Sequence, residues 1–379
     1  MRALTFTPNR TTLSADRVLL PTSQGYGGTL LVEATINGTG PWHLLVDSGA
    51  DGLALTESTA ARAGLLRING AATLQGSVGV VSGGFVLVSQ LQSGGLKLEG
   101  FVAALVADAD MANADAVAQR RIDGVLGMEA LKAVVLEMNF AKLQVVAVRP
   151  KAARYPSDRA IKYQGENRPW VKFNVEGKTI LAEIDTGSVA AFQFERLDAP
   201  RWLHPKSKAD GRSPVGLGPK VAVRPDKGQL AGEAQLGPVT FVDAPVESGV
   251  DNVIGVGALD AWTLVIDQSA HRIYFLGENL RRSWSDQPPP APKYKLGFFG
   301  SVQGTGVRLL EVDQGGAADL AGLRVDDVIL TVDGTPAATV DLDRVQELKK
   351  DSGRRTLRVR RNEQEFESVM VLGSETGTE

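Results

Sequence analysis

One plan occurs twice along this chain, and this internal repeat constrains the fold more than any other feature of the sequence. Residues 28–148 and 168–276 each contain an alternating strand, a turn, and an apolar strand that ends in an acidic residue, Asp47 in the first copy and Asp185 in the second. In both copies a hydroxyl residue and a glycine follow the acid. We therefore expect two copies of one small β-domain within a single chain.

A second element fixes the register of the repeat. Asp123 and Asp251 each begin a segment of the form acid-x-apolar-apolar-Gly. In both copies a leucine follows eight residues after this acid, and an Asn or Asp follows sixteen residues after it. We interpret Asp123 and Asp251 as turn residues whose carboxylates accept hydrogen bonds from backbone amides.

Local patterns predict a mainly β fold. Short apolar runs between Gly, Asn and Pro residues are typical of strands, and both copies end in a predicted hairpin, at residues 134–148 and 263–276. One helix is predicted over residues 57–63, with Thr56 as its N-cap and Gly64 at its end. The expected architecture is bilobal, built from the two repeated β-domains, and is followed by a smaller α+β domain.

The domain organisation follows from the repeat and from one proline-rich stretch. A chain of 379 residues has room for two or three domains of ~100–200 residues each. Four prolines within residues 288–292 favour an extended polyproline conformation there. The predicted divisions are an N-terminal extension (1–27), a first lobe (28–150), a second lobe (151–280), a linker (281–293), a C-terminal domain (294–373) and a tail (374–379).

Composition excludes several classes of function. The 41 Lys and Arg against 44 Asp and Glu give a net charge of −3, so no overall positive field attracts nucleic acid. Without cysteine, and with three widely spaced histidines, we expect no metal site and no thiolate nucleophile. No run of ~18 uncharged apolar residues predicts an integral membrane segment. The compartment stays open, and a periplasmic or secreted location is compatible with the sequence if a leader was removed.

Paired Asp-Ser-Gly and Asp-Thr-Gly loops have a specific chemical use. One such tripeptide is a common turn. Two of them at corresponding positions of an internal repeat would face each other across a pseudo-twofold axis, as the same residues do in a symmetric dimer. Carboxylates ~3 Å apart cannot both ionise, so they share one proton. The ionised group can then accept a proton from water while its protonated partner polarises a peptide carbonyl.

On these motifs the chain resembles the retropepsin-like and pepsin-like aspartic proteases, with two lobes fused in one chain. The resemblance covers residues 28–276 and rests on Asp47-Ser48-Gly49-Ala50, Asp185-Thr186-Gly187-Ser188, Val125-Leu126-Gly127 and Val253-Ile254-Gly255. It implies an aspartic endopeptidase that cleaves polypeptide substrates with Asp47 and Asp185, needs no cofactor and has a complete active site in the monomer. The residues that it implies as supports of the catalytic loops are Ser48, Gly49, Ala50, Thr186, Gly187 and Ser188.

Two further features depend on this resemblance. In the family, the hydroxyls at the positions of Ser48 and Thr186 link the two catalytic loops. A flap hairpin covers the substrate, and pepsin-like flaps carry a tyrosine that is absent between Asp47 and Asp123 here. The predicted flap, residues 75–85, is glycine-rich, and its candidate glycines are Gly76, Gly79, Gly83 and Gly84. Residues 215–228 are the candidate for a second flap, although their prolines disfavour a regular hairpin.

The fourth residue of the catalytic motif differs between the copies. It is Ala50 in the first and Ser188 in the second. We expect the Ser188 hydroxyl to donate a hydrogen bond to Asp185 and to favour its ionised form. Asp47 is then the aspartate that holds the shared proton.

The C-terminal domain resembles a PDZ domain of the bacterial type, in which the last strand completes the sheet. The resemblance rests on residues 294–298, 316–323 and 326–334. In PDZ domains a Leu-Gly-Phe loop binds the carboxylate of a peptide C-terminus, and the peptide adds to the sheet as a strand. The implied peptide-binding residues are Leu296, Gly297, Phe298, Val345 and Leu348.

Two classes of function stay open. The first is an aspartic endopeptidase whose PDZ domain recognises substrates or partners. The second is a catalytically silent, protease-like scaffold or adaptor that binds peptide C-termini through its PDZ domain. Retention of both aspartates, each with its hydroxyl residue and glycine, favours the enzyme, because a decayed site needs none of them.

Overall fold

Strands predominate throughout the structure, as the sequence predicts, and the chain divides into two units. A computed structural model describes residues 5–76, 79–108, 111, 121–175, 177–195, 203–208, 226–230, 232–249, 251–284, 298–303, 306–312, 316–337, 353–362 and 364–372. Of these residues, the first unit ends with Trp284 and the second begins with Phe298. Each unit encloses its own apolar core.

The first repeat and the segment before it form strands that alternate with short turns. These strands are β1 (Arg10–Leu13), β2 (Arg17–Leu20), β3 (Thr22–Gln24), β4 (Leu30–Ile36), β5 (Thr39–Val46), β6 (Leu53–Thr56), β7 (Leu66–Gly76), β8 (Gly79–Ser93), β9 (Leu96–Val106), β10 (Gly124–Leu126), β11 (Val135–Asn139) and β12 (Gln144–Val148). A 3-10 turn at Tyr26–Gly28 precedes β4.

The predicted helix follows β6 as α1 (Glu57–Arg62). Thr56 is its N-cap, because the Thr56 Oγ1 accepts a hydrogen bond from the N–H of Thr59 at 3.2 Å. Gly64 follows the helix with a φ of +63°, a left-handed conformation that ends helices and favours glycine.

The second repeat has the same kind of architecture. Its strands are β13 (Ala160–Lys162), β14 (Trp170–Val175), β15 (Lys178–Asp185), β16 (Phe192–Phe194), β17 (Leu203–Lys208), β18 (Asp226–Leu230), β19 (Glu233–Leu236), β20 (Val239–Val242), β21 (Pro245–Ser248), β22 (Val253–Gly255), β23 (Thr263–Asp267), β24 (Arg272–Leu276) and β25 (Arg281–Ser283). The 3-10 turns Pro150–Ala152 and Ser157–Arg159 precede β13, and helix α2 (Val256–Leu259) follows β22.

The two repeats place their strands in the same way around the two aspartates. β10 lies between β5 and β6, parallel to β5 and antiparallel to β6. β22 lies between β15 and β16 with the same directions. Each apolar-apolar-Gly segment therefore pairs with both strands that flank a catalytic-motif loop, as the family resemblance implies.

The hairpins that end the repeats join in one sheet. β11–β12 and β23–β24 are antiparallel hairpins, as predicted, and β11 pairs with β23 of the other repeat. The order of strands in this sheet is β13-β24-β23-β11-β12-β2. One apolar core runs through both repeats, so packing as well as chain connectivity holds them together.

Residues outside the predicted lobes also belong to these sheets. β1, β2 and β3, from the predicted N-terminal extension, pair with β9, β12 and β4. β25, at the start of the predicted linker, pairs in parallel with β20, and the N–H of Trp284 donates to the carbonyl of Val242 at 3.1 Å. Residues 281–284 therefore continue the second lobe, whereas the sequence places the start of the linker at residue 281.

The second unit contains a small sheet and a short helix. Within the described residues, its strands are β26 (Phe298–Gln303), β27 (Gly306–Val312), β28 (Val328–Val332), β29 (Thr335–Pro336), β30 (Gly353–Arg361) and β31 (Gln364–Leu372), and helix α3 (Ala317–Leu320) lies between β27 and β28. β31 lies at one edge beside β30, so the last strand completes the sheet. Phe298 packs, partly buried, against the core of this unit. The other predicted groove residues lie outside the described residues: Leu296, Gly297, Val345 and Leu348.

Candidate active site

The two motif aspartates lie at the ends of equivalent strands. Asp47 directly follows β5, and Asp185 is the last residue of β15. A Cβ atom placed on Gly49 would lie 2.6 Å from the Cγ of Asp185, and one placed on Gly187 would lie 2.6 Å from the Cγ of Asp47. Each carboxyl therefore sits against the glycine of the opposite loop, where any larger residue would collide with it. The structure brings the two predicted catalytic residues together.

Two buried hydroxyls link the loops beneath the aspartates. The Ser48 Oγ donates to the carbonyl of Ile184 at 2.6 Å, and the Thr186 Oγ1 donates to the carbonyl of Val46 at 2.9 Å. In return, the Ser48 N–H donates to the Thr186 Oγ1 and the Thr186 N–H donates to the Ser48 Oγ, both at 3.0 Å. These reciprocal bonds follow the pseudo-twofold relation of the repeats. They hold the two loops in one relative position.

Backbone amides hold both carboxylates. The Gly49 N–H donates to the Asp47 Oδ1 at 2.7 Å. The Asp185 Oδ1 accepts two such bonds, from the N–H of Gly187 at 2.8 Å and from the N–H of Ser188 at 3.2 Å. Because hydrogen bonds from amides favour a charged carboxylate, the second bond distinguishes Asp185 from Asp47.

The sequence predicts that the Ser188 hydroxyl donates a hydrogen bond to Asp185, but the donor in the structure is a different group of Ser188. It is the backbone N–H of Ser188 that donates to Asp185, whereas its Oγ lies 3.0 Å from the position that a Cβ would take on Gly255. The N–H of Ala50 donates to the main-chain carbonyl of Asp47 at 3.4 Å, and the N–H of Ser188 makes the equivalent bond to Asp185 at 3.3 Å in addition to its bond to the carboxylate. The asymmetry between the copies is present, but the loop backbone produces it and not the serine side chain.

The surroundings of Asp47 favour the protonated form of its carboxyl. Although part of the residue remains exposed, desolvation by the surrounding protein raises the pKa of Asp47 well above its ordinary value. The charge of Asp185, a hydrogen bond to it and the charge of Glu183 raise the pKa of Asp47 further, while the Gly49 amide lowers it. This direction agrees with the expectation that Asp47 holds the shared proton.

Both units contain segments that match models of known protein families. Residues 32–130, which include Asp47, match the family model for aspartyl proteases. Residues 285–360 match the model for the PDZ domain. The chain contains an aspartyl protease domain and a PDZ domain. No curated protein matched the sequence. Asp185 lies beyond the matched span, in the second repeat, whose strands reproduce the arrangement of the first.

Tyr26 is a site residue of the protease domain that the sequence did not predict. Its hydroxyl donates to the carbonyl of Gly187 at 2.6 Å, and only 5% of the residue is exposed. Burial, followed by the charges of Asp47 and Asp185, raises the pKa of Tyr26 well above its ordinary value, so it stays a donor. The available signal was a Tyr-Gly-Gly sequence just before the first repeat. It carried no information about the loop 161 residues away.

The sequence also did not predict a buried ion pair close to Asp185, between Arg168 and Glu183. The Glu183 side chain, 3% exposed, accepts bonds from the Nε and Nη2 of Arg168, both at 2.6 Å. Desolvation raises the pKa of Glu183 to about 7, the bond from Arg168 lowers it, and the charge of Asp185 raises it. An acidic residue within an apolar strand, two positions before the catalytic motif, was the signal in the sequence.

Asp123 has the structural role predicted for it. Its Oδ2 accepts a hydrogen bond from the N–H of His43 at 2.9 Å, and its Oδ1 accepts one from the Oγ1 of Thr59 at 3.2 Å. Arg62 and Arg121 place guanidinium nitrogens 3.0 and 3.1 Å from the same Oδ1. This carboxylate ties β5 and α1 to the start of β10.

The predicted flap is a hairpin of the protease domain. β7 and β8 pair antiparallel, and the pairing continues to Gly76 opposite Gly79. Residues 77–78 lie outside the described residues, as do residues 215–225 of the second flap candidate, whose remaining residues enter β18.

Gly83 and Gly84 lie where the flap hairpin leaves the sheet. β8 begins to pair with β9 at Phe85, opposite Ala104. A Cβ on Gly83 would lie 1.9 Å from the carbonyl oxygen of Leu105, whereas one on Gly84 would lie 3.8 Å from the Leu105 Cδ1. Only glycine fits at position 83 without a shift of the backbone.

Other kinds of site find little support in the described ranges of the chain. There, no cluster of three or more His, Asp or Glu side chains is arranged to hold a metal ion. No helix in those ranges is both long and apolar enough to cross a bilayer.

Proposed function

We propose that this protein is an aspartic endopeptidase that hydrolyses peptide bonds with a water molecule activated between Asp47 and Asp185. The observation that carries the proposal is the reciprocal packing of each carboxyl against the glycine of the opposite loop, with the Ser48 and Thr186 bonds beneath. The aspartyl protease match over residues 32–130 supports the same reaction class.

The difference between the two carboxyls assigns their roles. Asp185, which accepts two backbone amide bonds, is the general base that takes a proton from water. Asp47, whose pKa is raised, is the acid that donates a hydrogen bond to the substrate carbonyl. The water oxygen forms a bond to the carbonyl carbon and gives a tetrahedral intermediate. Transfer of a proton to the amide nitrogen then breaks the C–N bond and releases a carboxyl and an amine terminus.

Both halves of this site come from one chain, so we propose that the monomer is active. The linked residues Ser48 and Thr186 lie 138 residues apart in the same polypeptide. The expected result is a specific activity that does not fall on dilution. A steep loss at low concentration, as for an obligate dimer, would contradict the fused-lobe site.

We also propose that the PDZ domain recognises the C-termini of substrates or partners. Its match over residues 285–360 and the edge position of Phe298 in the sheet order support this role. The proposed carboxylate loop is Leu296-Gly297-Phe298, and the proposed groove residues are Val345 and Leu348. Binding of peptides with free and amidated C-termini tests it, because only a free carboxylate should bind.

Hydrolysis of an unfolded protein at several pH values tests the main proposal. Asp47→Asn and Asp185→Asn should each abolish cleavage without loss of the fold, since each removes one role of the proton-sharing pair. Asp158→Asn, a change of the same kind at an exposed aspartate, is the matched control and should cleave normally. If either active-site variant keeps near-normal turnover, the aspartic mechanism is wrong. If the parent cleaves nothing but binds peptide C-termini, the scaffold function replaces it.

A further inference from the structure

Glu183 breaks the symmetry of the two repeats beside the aspartate pair. It lies two residues before Asp185, and the residue two before Asp47 is Leu45. Leu45 is buried like its strand neighbours, as the core of a lobe requires. Glu183 is buried to the same degree but carries an ionisable carboxyl. A buried carboxyl is costly unless it is paired.

Arg168 provides that pairing. Its Nε and Nη2 each lie 2.6 Å from a different carboxylate oxygen of Glu183, which is the bidentate geometry of a strong ion pair. The Arg168 Cζ lies 5.6 Å from the centroid of the Trp170 ring, so an aromatic face also contacts the guanidinium. The Glu183 carboxyl is therefore paired although it is buried, while 30% of the Arg168 side chain is exposed.

The Glu183 carboxyl lies on the same face of β15 as the Asp185 carboxyl. Side chains alternate along a strand, so residues 183 and 185 point to one face, and their Cα atoms are ~7 Å apart at ~3.3 Å per residue. Arg168 lowers the pKa of Glu183, whereas the charges of Asp185, on the same strand, and of Asp251, before β22, raise it. The charge of Asp51, after the first loop, raises the pKa of Arg168, and the charge of Glu183 raises the pKa of Asp47.

We propose that the Arg168–Glu183 pair is a positioning unit for the shared proton of Asp47 and Asp185, and that Glu183 extends the active range of the enzyme to higher pH. This inference rests on the proposed protease function. A negative charge near the pair opposes ionisation of both carboxyls, so the form with one proton persists at higher pH. The hydrogen bond from Arg168 lowers the pKa of Glu183 against the effect of burial, to about 7, so Glu183 is charged in the upper part of the pH range. There Arg168 reduces but does not cancel the field of the nearer carboxylate.

The pH–rate profile of Glu183→Gln tests this. The change keeps the shape of the side chain, removes the negative charge and leaves Arg168 positive beside the pair. The alkaline limb of the profile should move to lower pH by about one unit, as expected for one buried charge at this separation. The acidic limb should stay in place, because Glu183 is protonated there in the parent as well. Loss of rate without a shift of either limb would mean that Glu183 supports the fold alone, and would overturn the proposal.

Glu137→Gln is the matched control. Glu137 also accepts a bidentate pair of bonds from an arginine, Arg17, at 2.8 and 2.5 Å, but it lies on β11 in the sheet shared by the hairpins. Its loss should reduce stability and leave both limbs of the profile in place. Equal shifts in Glu137→Gln and Glu183→Gln would contradict a local role of Glu183.

Arg168→Met with Glu183→Leu is a second variant in case Glu183→Gln does not fold. It replaces the ion pair by apolar side chains, as Leu45 does in the first lobe, and such replacements often keep or raise stability. Its alkaline limb should also move to lower pH, by less than in Glu183→Gln, because no positive charge is left unpaired. A profile that overlays that of the parent would overturn the proposal.

A stability measurement separates this inference from the proposed function. The difference in unfolding free energy between the parent and Asp47→Asn, followed over pH 3–9, reports the titration of the pair without any substrate. In the Glu183→Gln background the alkaline part of this curve should move to lower pH by about one unit. If the shift appears but no peptide is cleaved, the proposed function fails and the electrostatic role stands. If cleavage occurs but neither curve shifts, the inference fails alone.

Discussion

The hydroxyl of Tyr26 donates a 2.6 Å hydrogen bond to the carbonyl oxygen of Gly187, and so joins the segment before the first repeat to the catalytic loop of the second. The next residue, Gly27, packs closely against the same loop, since a Cβ atom on Gly27 would lie 2.4 Å from the Cγ1 of Val189. Gly187 itself packs against the Asp47 carboxyl. Tyr26 therefore fixes a glycine on which the geometry of the aspartate pair depends.

Tyr26→Phe removes this bond and keeps the ring. We expect the free energy of unfolding to fall by ~1 kcal/mol and kcat to fall roughly tenfold, because small displacements of catalytic groups are costly in rate. Chemical unfolding and peptide hydrolysis measure the two effects. Tyr155→Phe is the control, since it removes the 2.6 Å bond from Tyr155 to Glu137 in a different sheet. A similar fall in kcat in both variants would argue against a specific role of Tyr26.

Gly83→Ala and Gly84→Ala form a matched pair at the base of the flap. The new Cβ at position 83 would lie 1.9 Å from the Leu105 carbonyl oxygen, and the one at position 84 would lie 3.8 Å from the nearest atom. We expect Gly83→Ala to cost ~1–3 kcal/mol of stability and to raise KM for peptides, as the flap hairpin must shift. Gly84→Ala should behave like the parent. Thermal unfolding and steady-state kinetics check both, and equal behaviour of the two variants would show that the flap base tolerates the shift.

The stability of the protease domain should depend on pH through Glu183. Its pKa in the folded protein is about 7, above its ordinary value of 4.5. Between these values the folded state binds more protons than the unfolded state, so the free energy of unfolding falls as pH rises across this window. The fall is on the order of 3 kcal/mol at most. Glu183→Gln should flatten this part of the curve from urea unfolding at pH 4–8; a parallel curve would show that Glu183 does not titrate there.

Truncation distinguishes the observed boundary of the protease domain from the predicted one. A chain that ends after Asp286 keeps β25 and should fold and cleave short peptides, since the two units have separate cores. A chain that ends after Leu280 loses β25, its pairing with β20 and the ion pair between Arg282 and Asp260. It should unfold at a lower temperature in a thermal melt. Identical melting of the two chains would show that β25 adds nothing to the fold.

The sequence by itself determined those features that local patterns encode. Alternating and apolar runs predicted the closing hairpins and the mainly β fold, and the Thr56 cap and Gly64 predicted α1, because strands, caps and turns depend on neighbouring residues. The internal repeat went further, since two copies of one motif at corresponding positions imply a pseudo-twofold pair. That symmetry is why Asp47 and Asp185 could be paired from sequence alone.

Only the tertiary structure decided what breaks the symmetry. Tyr26 and Gly187 are far apart in sequence, and no pattern connects a tyrosine before the repeat to a loop in its second copy. Arg168 and Glu183 meet because β14 and β15 pair antiparallel, so that the segment before β14 lies beside the end of β15. The extra bond to Asp185 comes from a backbone amide, whose direction depends on loop dihedral angles and not on the identity of the side chain. These contacts are set by the positions of backbones brought together by folding, which residue types alone do not specify.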